Sequence, residues 1–213
     1  MKNGFLITFE GIDNSGKTVQ AKAFFEKLGN RGIDAIFLRD PGTTRISERI
    51  RSILLDNELK EMSPWTELLL YEAARAQMIE EMMLPALEEG KIVICDRLYD
   101  STTAYQGYGR GLDLDLVVQA NKLGSRGLVP DLTFLLDVEP ETALSRLERA
   151  GFLADRLEAE GLAFQSKIRD AYLQIARKEK KRIFIVEGNR SISDIQNEIW
   201  QIFLTHYKHI INF

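Results

Sequence analysis

The chain has 213 residues, 45% of them hydrophobic, and no Pro/Gly/Ser-rich linker, which suits one globular domain spanning residues 1–213. Its 28 Lys and Arg against 32 Asp and Glu leave a net charge of −4, so no global field draws it to nucleic acid or to an anionic membrane. Cys95 is the sole cysteine, which excludes an internal disulfide. No long apolar segment follows Met1-Lys2-Asn3-Gly4, which argues against an ordinary signal peptide or membrane span and makes the cytoplasm the expected location.

The first apolar run, residues 5–9, reads as a strand. It leads into Gly11-Ile12-Asp13-Asn14-Ser15-Gly16-Lys17-Thr18, a complete Gly-x-x-x-x-Gly-Lys-[Ser/Thr] phosphate loop, followed by an apolar-periodic helix over 19–28. Glycines at both ends let the backbone wrap a phosphate, while consecutive N–H groups and the helix N-terminus turn positive potential toward it. Lys17 adds a mobile point charge for the outer phosphates. Thr18 carries the hydroxyl expected on Mg²⁺, a metal that the loop implies and no ligand cluster encodes.

A second run, 35–38, ends at Arg39-Asp40-Pro41-Gly42. A long helix over 64–87 is entered by Ser63-Pro64 and stopped at Gly90, with Pro85 expected to bend its last turn. On it Tyr71 and Arg75 stand four apart and share a face, where the arginine could donate to a carbonyl while the ring stacks; Tyr71 fits a core position equally well. The third run, 92–95, places Cys95 as a buried strand residue and ends at Asp96-Arg97. Asp96 occupies the position of an acid that holds Mg²⁺ or its water. Arg97 is out of place in a site built only for hydrolysis but useful where a second phosphate needs a planar fork; a pair that merely caps the strand is the plainer alternative.

Residues 101–111 mix hydroxyls, an amide, aromatics and glycines, a composition that suits a planar, hydrogen-bonding ligand and that a plain loop can share. Helices over 113–123, 140–149, 159–178 and 191–208 and strands over 132–136 and 183–186 complete the chain. The basic run 177–182 reads as a helix C-terminus satisfying its carbonyls, and His206 and His209 as surface residues. Five strands alternating with helices predict an α/β fold of the P-loop NTPase type, a five-stranded parallel sheet covered on both faces, with ligands along the edge where the strands end.

The set Thr8-Phe9-Glu10-Gly11 with the phosphate loop, Asp40-Pro41-Gly42, Ala73-Ala74-Arg75-x-Gln77, Asp96-Arg97, Ala104-Tyr105-Gln106-Gly107-x-Gly109-Arg110-Gly111 and Pro130-Asp131-Leu132-Thr133 resembles thymidylate kinase, over nearly the whole chain and in the family's order. The Tyr-Gln-Gly-x-Gly-Arg-Gly stretch is the specific part. The resemblance implies phosphoryl transfer from MgATP to dTMP, and a homodimer. It places Asp13 at the deoxyribose 3′-hydroxyl, Arg39, Arg51 and Arg97 around the dTMP phosphate with Asp40 orienting them, Tyr71 on thymine, Arg75, Thr102 and Gln106 at the base edge, and Tyr105 where a ribose 2′-hydroxyl would sit. Family members without an arginine in the phosphate loop carry the transition-state arginine in a lid. Asn14-Ser15 contain none, so that role falls to Arg149 or Arg156 in a lid over about 146–158.

Three positions depart from the family pattern. Asp40 replaces the Glu usual in bacterial relatives, Gly42-Thr43-Thr44 replaces Gly-Gly-Thr, and Leu98 stands where an aromatic or His is common. The rival readings are another nucleoside monophosphate kinase or a deoxynucleoside kinase, and, from a different class, a regulatory GTP switch. A nucleoside kinase would need a carboxylate such as Glu10 or Asp40 aimed at a neutral 5′-hydroxyl. A regulatory GTP switch would need Asn121-Lys122-Leu123-Gly124 to read guanine, and Gly124 lacks the required carboxylate.

Overall fold

The computed structural model describes residues 4–151 and 155–207. Residues 152–154 of the lid span, Lys208 and His209 lie outside the described residues, as does the side chain of His206. Five strands, β1 (Phe5–Glu10), β2 (Ala35–Arg39), β3 (Ile92–Asp96), β4 (Leu132–Asp137) and β5 (Ile183–Glu187), form one parallel sheet ordered β2-β3-β1-β4-β5. All residues of β1 and β3 are buried, as expected of central strands covered on both faces. The register sets Phe9 and Arg39 on either side of Asp96. The segments leaving β1, β2 and β3 therefore start at one level, and this gathers the site.

Nine helices fill the crossovers among the described residues: α1 (Lys17–Gly29), α2 (Arg45–Leu54), α3 (Pro64–Met78), α4 (Leu84–Glu88), α5 (Tyr99–Thr102), α6 (Leu114–Gly124), α7 (Pro140–Ala150), α8 (Leu162–Lys178) and α9 (Ile192–Tyr207). One sheet face packs Phe9 and Phe134 on Phe24, Trp200 and Phe203 of α1 and α9, with ring centroids 5.2 Å apart for Phe9–Phe134 and for the edge-on pair Phe24–Phe203. Such pairs contribute about 1 kcal/mol each beyond the area they bury. The other face is covered by α8 around Tyr105, Ile168 and Tyr172 and by the α3–α4 region around Leu38, Met78 and Met83.

Three elements differ from the sequence expectation. Helix α2 was not anticipated, although Thr44 caps it by accepting the Ser47 N–H at 3.2 Å and Ile46, Ile50, Ile53 and Leu54 recur at helical spacing. The helix expected over 64–87 is interrupted by a π turn at Ile79–Met83. Pro85 has no N–H to return to the preceding turn, and the wider turn just before it accommodates the ring. Residues 101–111 are largely helical: α5 continues as a π turn, Thr103–Gly109. A Cβ on Gly107 would come 2.8 Å from Leu114 and one on Gly109 2.5 Å from Ile168, so these glycines let α6 and α8 pack against the turn. Their reason is packing, whatever the neighbouring Tyr105 and Gln106 contact.

Candidate active site

The phosphate loop sits between β1 and α1 in a conformation that needs its glycines. Gly11 has φ +141°, and a Cβ there would meet the Leu136 carbonyl oxygen at 2.6 Å; Gly16, the α1 N-cap, has φ +94°. Lys17 folds over the loop and donates to the Ile12 carbonyl at 3.1 Å. Burial and the nearby Arg97 push its ammonium down to about 8, against Asp13, Asp96 and Glu10. From outside the loop, Arg146 of α7 donates to the Asn14 and Ser15 carbonyls at 3.4 and 3.0 Å and to the Gly188 carbonyl at 2.7 Å.

Thr18 Oγ1 donates to Asp96 Oδ2 at 2.5 Å, which joins the two residues expected to serve a metal. Asp96 Oδ1 is buried with no partner. A hydroxyl and a carboxylate with an open oxygen fit Mg²⁺, which takes few protein ligands and fills the rest of its octahedron with phosphate and water.

Beside the loop lies a cavity of about 60 Å³ whose lining includes Asp13, Asp40, Arg51, Tyr71, Arg75, Arg97, Thr102, Tyr105 and Gln106, that is, every residue expected around an acceptor nucleotide except Arg39. Arg97 is its centre. In a left-handed conformation (φ +70°), it donates to Asp13 Oδ1 at 2.6 Å, Ser101 Oγ at 3.0 Å, the Tyr172 hydroxyl at 2.9 Å and the Tyr105 hydroxyl at 3.3 Å. Tyr105 in turn donates to Asp13 Oδ2 at 2.7 Å. Burial pushes the Asp13 carboxyl up, but Arg97, Lys17 and these hydrogen bonds outweigh it and hold it below the ordinary carboxylate range.

Arg75 is 1% exposed, and four of its five N–H groups are occupied. Nε donates to Asp40 at 2.6 Å, Nη1 to Glu72 at 2.5 Å and to Asn121 at 3.5 Å, and Nη2 to Thr102 Oγ1 at 2.6 Å. One Nη2 hydrogen is left. Asp40, one methylene shorter than the usual Glu, still reaches Arg75. Arg51 donates to the Pro41 carbonyl at 3.0 Å.

Three expected residues stand apart. Arg39 leaves the cavity and donates to Glu48 at 2.8 and 3.0 Å, and Glu48 also accepts the Thr43 N–H at 2.7 Å. Glu48 thus ties Arg39 to Thr43, the residue that departs from the family pattern. A β-branched residue held at φ +75°, where glycine is at ease, needs outside support. Arg149 is exposed in the last turn of α7. Arg156 donates to the Leu54 carbonyl at 2.9 Å and stands 2.6 Å from Glu67, without a hydrogen bond or ion pair to the phosphate loop among the described residues. Its neighbours Asp155 and Leu157 line the cavity, so this part of the lid span covers the acceptor side.

Several residues of the site carry no motif. Tyr172, halfway along α8, and Ser101 link Arg97 to Glu10: Glu10 Oε2 accepts from Ser101 at 2.7 Å and from Tyr172 at 2.9 Å, and its Oε1 accepts the Leu98 N–H at 2.7 Å. Burial and the Asp100 carboxylate push Glu10 up to about 7, against Arg97. Glu10 does not line the cavity, and Asp40 is held by Arg75, so neither is aimed as a base at a nucleoside hydroxyl. The residues that would read guanine in a switch lie in α6, where Asn121 donates to Thr103 at 2.8 Å. In the basic run, Arg182 is drawn in to Asp100 at 2.7 and 2.8 Å instead of staying at the surface. Cys95 is buried, and burial raises its thiol.

A phosphate loop after the central strand of a parallel sheet, with a second, arginine-lined cavity at the same edge, defines a P-loop kinase whose acceptor is itself a phosphorylated nucleoside. Within that class the family model for thymidylate kinase matches residues 9–199. The chain is 46% identical over 191 residues to a thymidylate kinase of Pelotomaculum thermopropionicum, covering 90% of this chain and 88% of the relative. It is 42% identical over 204 residues to one of Kosmotoga olearia, covering 96% and 97%. A crystal structure of thymidylate kinase from Ehrlichia chaffeensis superposes with a TM-score of 0.76 at 32% identity, covering 94% of this chain and 98% of that one. The chain belongs to the thymidylate kinase family.

Proposed function

We infer that the chain transfers the γ-phosphoryl group of ATP to dTMP, giving dTDP and ADP. The observation that carries this is the bridge between the two halves of the site: Asp13, inside the phosphate loop, holds Arg97, the central cation of the acceptor cavity. A donor on the loop and a phosphate on Arg97 are thereby adjacent. The acceptor oxygen is already anionic, so no strong base is needed, and the cavity lining contains no histidine. Catalysis reduces to in-line placement and to neutralising charge as it moves between two anions.

In this reading the loop N–H groups and Lys17 hold the donor phosphates, Arg97 and Arg51 hold the acceptor phosphate, and Asp40 with Arg75 braces that wall. Tyr71 stacks on thymine while Thr102, Gln106 and the remaining Arg75 hydrogen meet its edge; Tyr105 and Asp13 close the space beyond the sugar. Thr18 and Asp96 would hold Mg²⁺, which when bound neutralises phosphate charge. Either Arg149 or Arg156 serves the transition state from the lid, whose Asp155 and Leu157 line the acceptor cavity and move aside as a nucleotide enters. Arg39 joins the phosphate only by leaving Glu48.

A homodimer in the cytoplasm, with no nucleic-acid or membrane partner, completes the reading. Exposed Ile46 and Ile53 on α2 and Trp65 and Leu69 on the adjoining α3 support a second copy as the partner. No helix among the described residues is long and apolar enough to cross a membrane.

The test is a coupled ADP-release assay with MgATP against dTMP, dUMP, UMP, AMP and thymidine. Highest kcat/KM is expected with dTMP. Faster turnover of thymidine would overturn the acceptor assignment.

A further inference from the structure

Glu67 belongs to none of the motifs, yet its carboxylate, near the start of α3, is 1% exposed and gathers three residues. Gln106 Nε2 donates to it at 2.8 Å, and Arg110 donates through Nε and Nη2 at 3.2 Å each. Arg156 Nη2 stands 2.6 Å away as an ion pair and does not donate along its N–H axis. Burial pushes the carboxyl up, but the hydrogen bonds from Arg110 and Gln106 and the charges of Arg110 and Arg156 outweigh it, so Glu67 is ionised at neutral pH.

An ionised carboxylate can only accept. The Gln106 amide is therefore pinned with its NH₂ toward Glu67, and its carbonyl is the acceptor on the remaining side. Thr102, on the same cavity wall, is set in the complementary sense: its oxygen accepts from Arg75 Nη2 at 2.6 Å, which leaves the hydroxyl hydrogen to donate. With the hydroxyl donor placed at the C4 substituent and the carbonyl acceptor at N3, the pair matches a pyrimidine with oxygen at C4 and hydrogen on N3. The same pair opposes a pyrimidine with an amino group at C4 and a lone pair on N3.

We propose that Glu67 is a positioning and specificity-determining residue that fixes the donor–acceptor pattern of the base wall through Gln106 and anchors the lid to that wall through Arg156. The proposal rests on the reading of this cavity as the dTMP site. The Arg156 Nε–H donates to the Leu54 carbonyl at 2.9 Å, so the lid spans from α2 to the carboxylate that orients the base-reading amide. A base that turned the amide over would present a carbonyl to Glu67 and weaken the lid's anchor as well.

Steady-state kinetics with dTMP and dCMP on the full-length protein test this. Glu67→Gln, whose own amide tolerates either orientation of Gln106, is expected to lower the dTMP/dCMP ratio of kcat/KM by at least about tenfold, mostly through KM. Arg156→Ala is expected to lower kcat for both nucleotides and, because only dCMP weakens the anchor in the wild type, to lower the ratio by less than Glu67→Gln does. A ratio within about twofold of wild type in a folded Glu67→Gln protein overturns the proposal. If that variant does not fold, Glu67→Asp keeps the charge for the arginines but withdraws from Gln106 by one methylene, and a wild-type ratio there overturns it equally. Turnover of neither nucleotide by the wild-type protein would instead end the reading of the reaction, and the same ratio taken from calorimetric Kd values would still decide the role of Glu67.

Discussion

Replacing Arg97 with alanine is expected to lower turnover with dTMP by about three orders of magnitude, the loss typical of removing a cation aimed at a transferring phosphoryl group. Its left-handed backbone turns the guanidinium back over Asp13, and four oxygen partners hold it where the two phosphate sites meet. Few alternative rotamers are open to it. The fold should tolerate the loss: Glu10 keeps its bonds from Ser101, Tyr172 and the Leu98 N–H, and Asp13 keeps Tyr105, with Lys17 at 3.9 Å. A cost of about 1–2 kcal/mol follows, or a melting temperature lower by ~5 °C for a chain of this size. Arg97→Lys should rescue little, because an ammonium with three donors on a single nitrogen cannot hold Asp13 and three hydroxyls at once. Normal turnover in a folded Arg97→Ala protein would remove this residue from the site.

Arg75→Met should act on the fold first. The substitution keeps an apolar stem but leaves Asp40 and Glu72 buried without their shared cation, and breaking a buried pair in this way costs about 3–5 kcal/mol. The melting temperature should fall by about 10 °C. The pH dependence identifies the cause. Burial already raises both carboxyls above their ordinary values despite Arg75, and without it they rise further. The folded variant then binds protons at higher pH than the unfolded chain does. Its stability should therefore recover relative to wild type as pH falls from 7 toward the ordinary carboxylate values near 4. Melting curves of both proteins across that range check this, and a deficit that stayed constant or grew on acidification would mean that the carboxylates are not its source.

The parts of this molecule legible in its sequence are those fixed by local chemistry. The phosphate loop, the five apolar runs and the acid at the end of β3 each carry their meaning within a few residues, and the sheet brings them together as the alternation of elements requires. Helix α2 was readable too, from its Thr44 cap and recurring isoleucines, but it was hidden beside the more conspicuous Asp40-Pro41-Gly42. Residues 101–111 suited a planar ligand or a plain loop by composition, whereas Gly107 and Gly109 admit the close approach of α6 and α8 to a helical segment. Tyr172 and Glu67 gave no local signal at all. Their roles come from partners 75 and 39 residues away in the chain, Arg97 and Gln106, and only the packing of α8 and α3 supplies those contacts. The turn of Arg39 toward Glu48, which also holds the Thr43 N–H, is a contact nine residues along the chain that no pattern of residue types reveals.

Arg146 has a consequence for how the donor is received. By binding the outward carbonyls of Asn14 and Ser15 and that of Gly188, it buttresses the cradle from behind before any nucleotide arrives. The concave row of amides is thus ready-made, and little chain entropy remains to be lost when ATP docks. Loss of Arg146 would weaken the grip on ATP while the contacts to thymine stayed whole, an effect on donor affinity from a side chain that bonds only main-chain carbonyls.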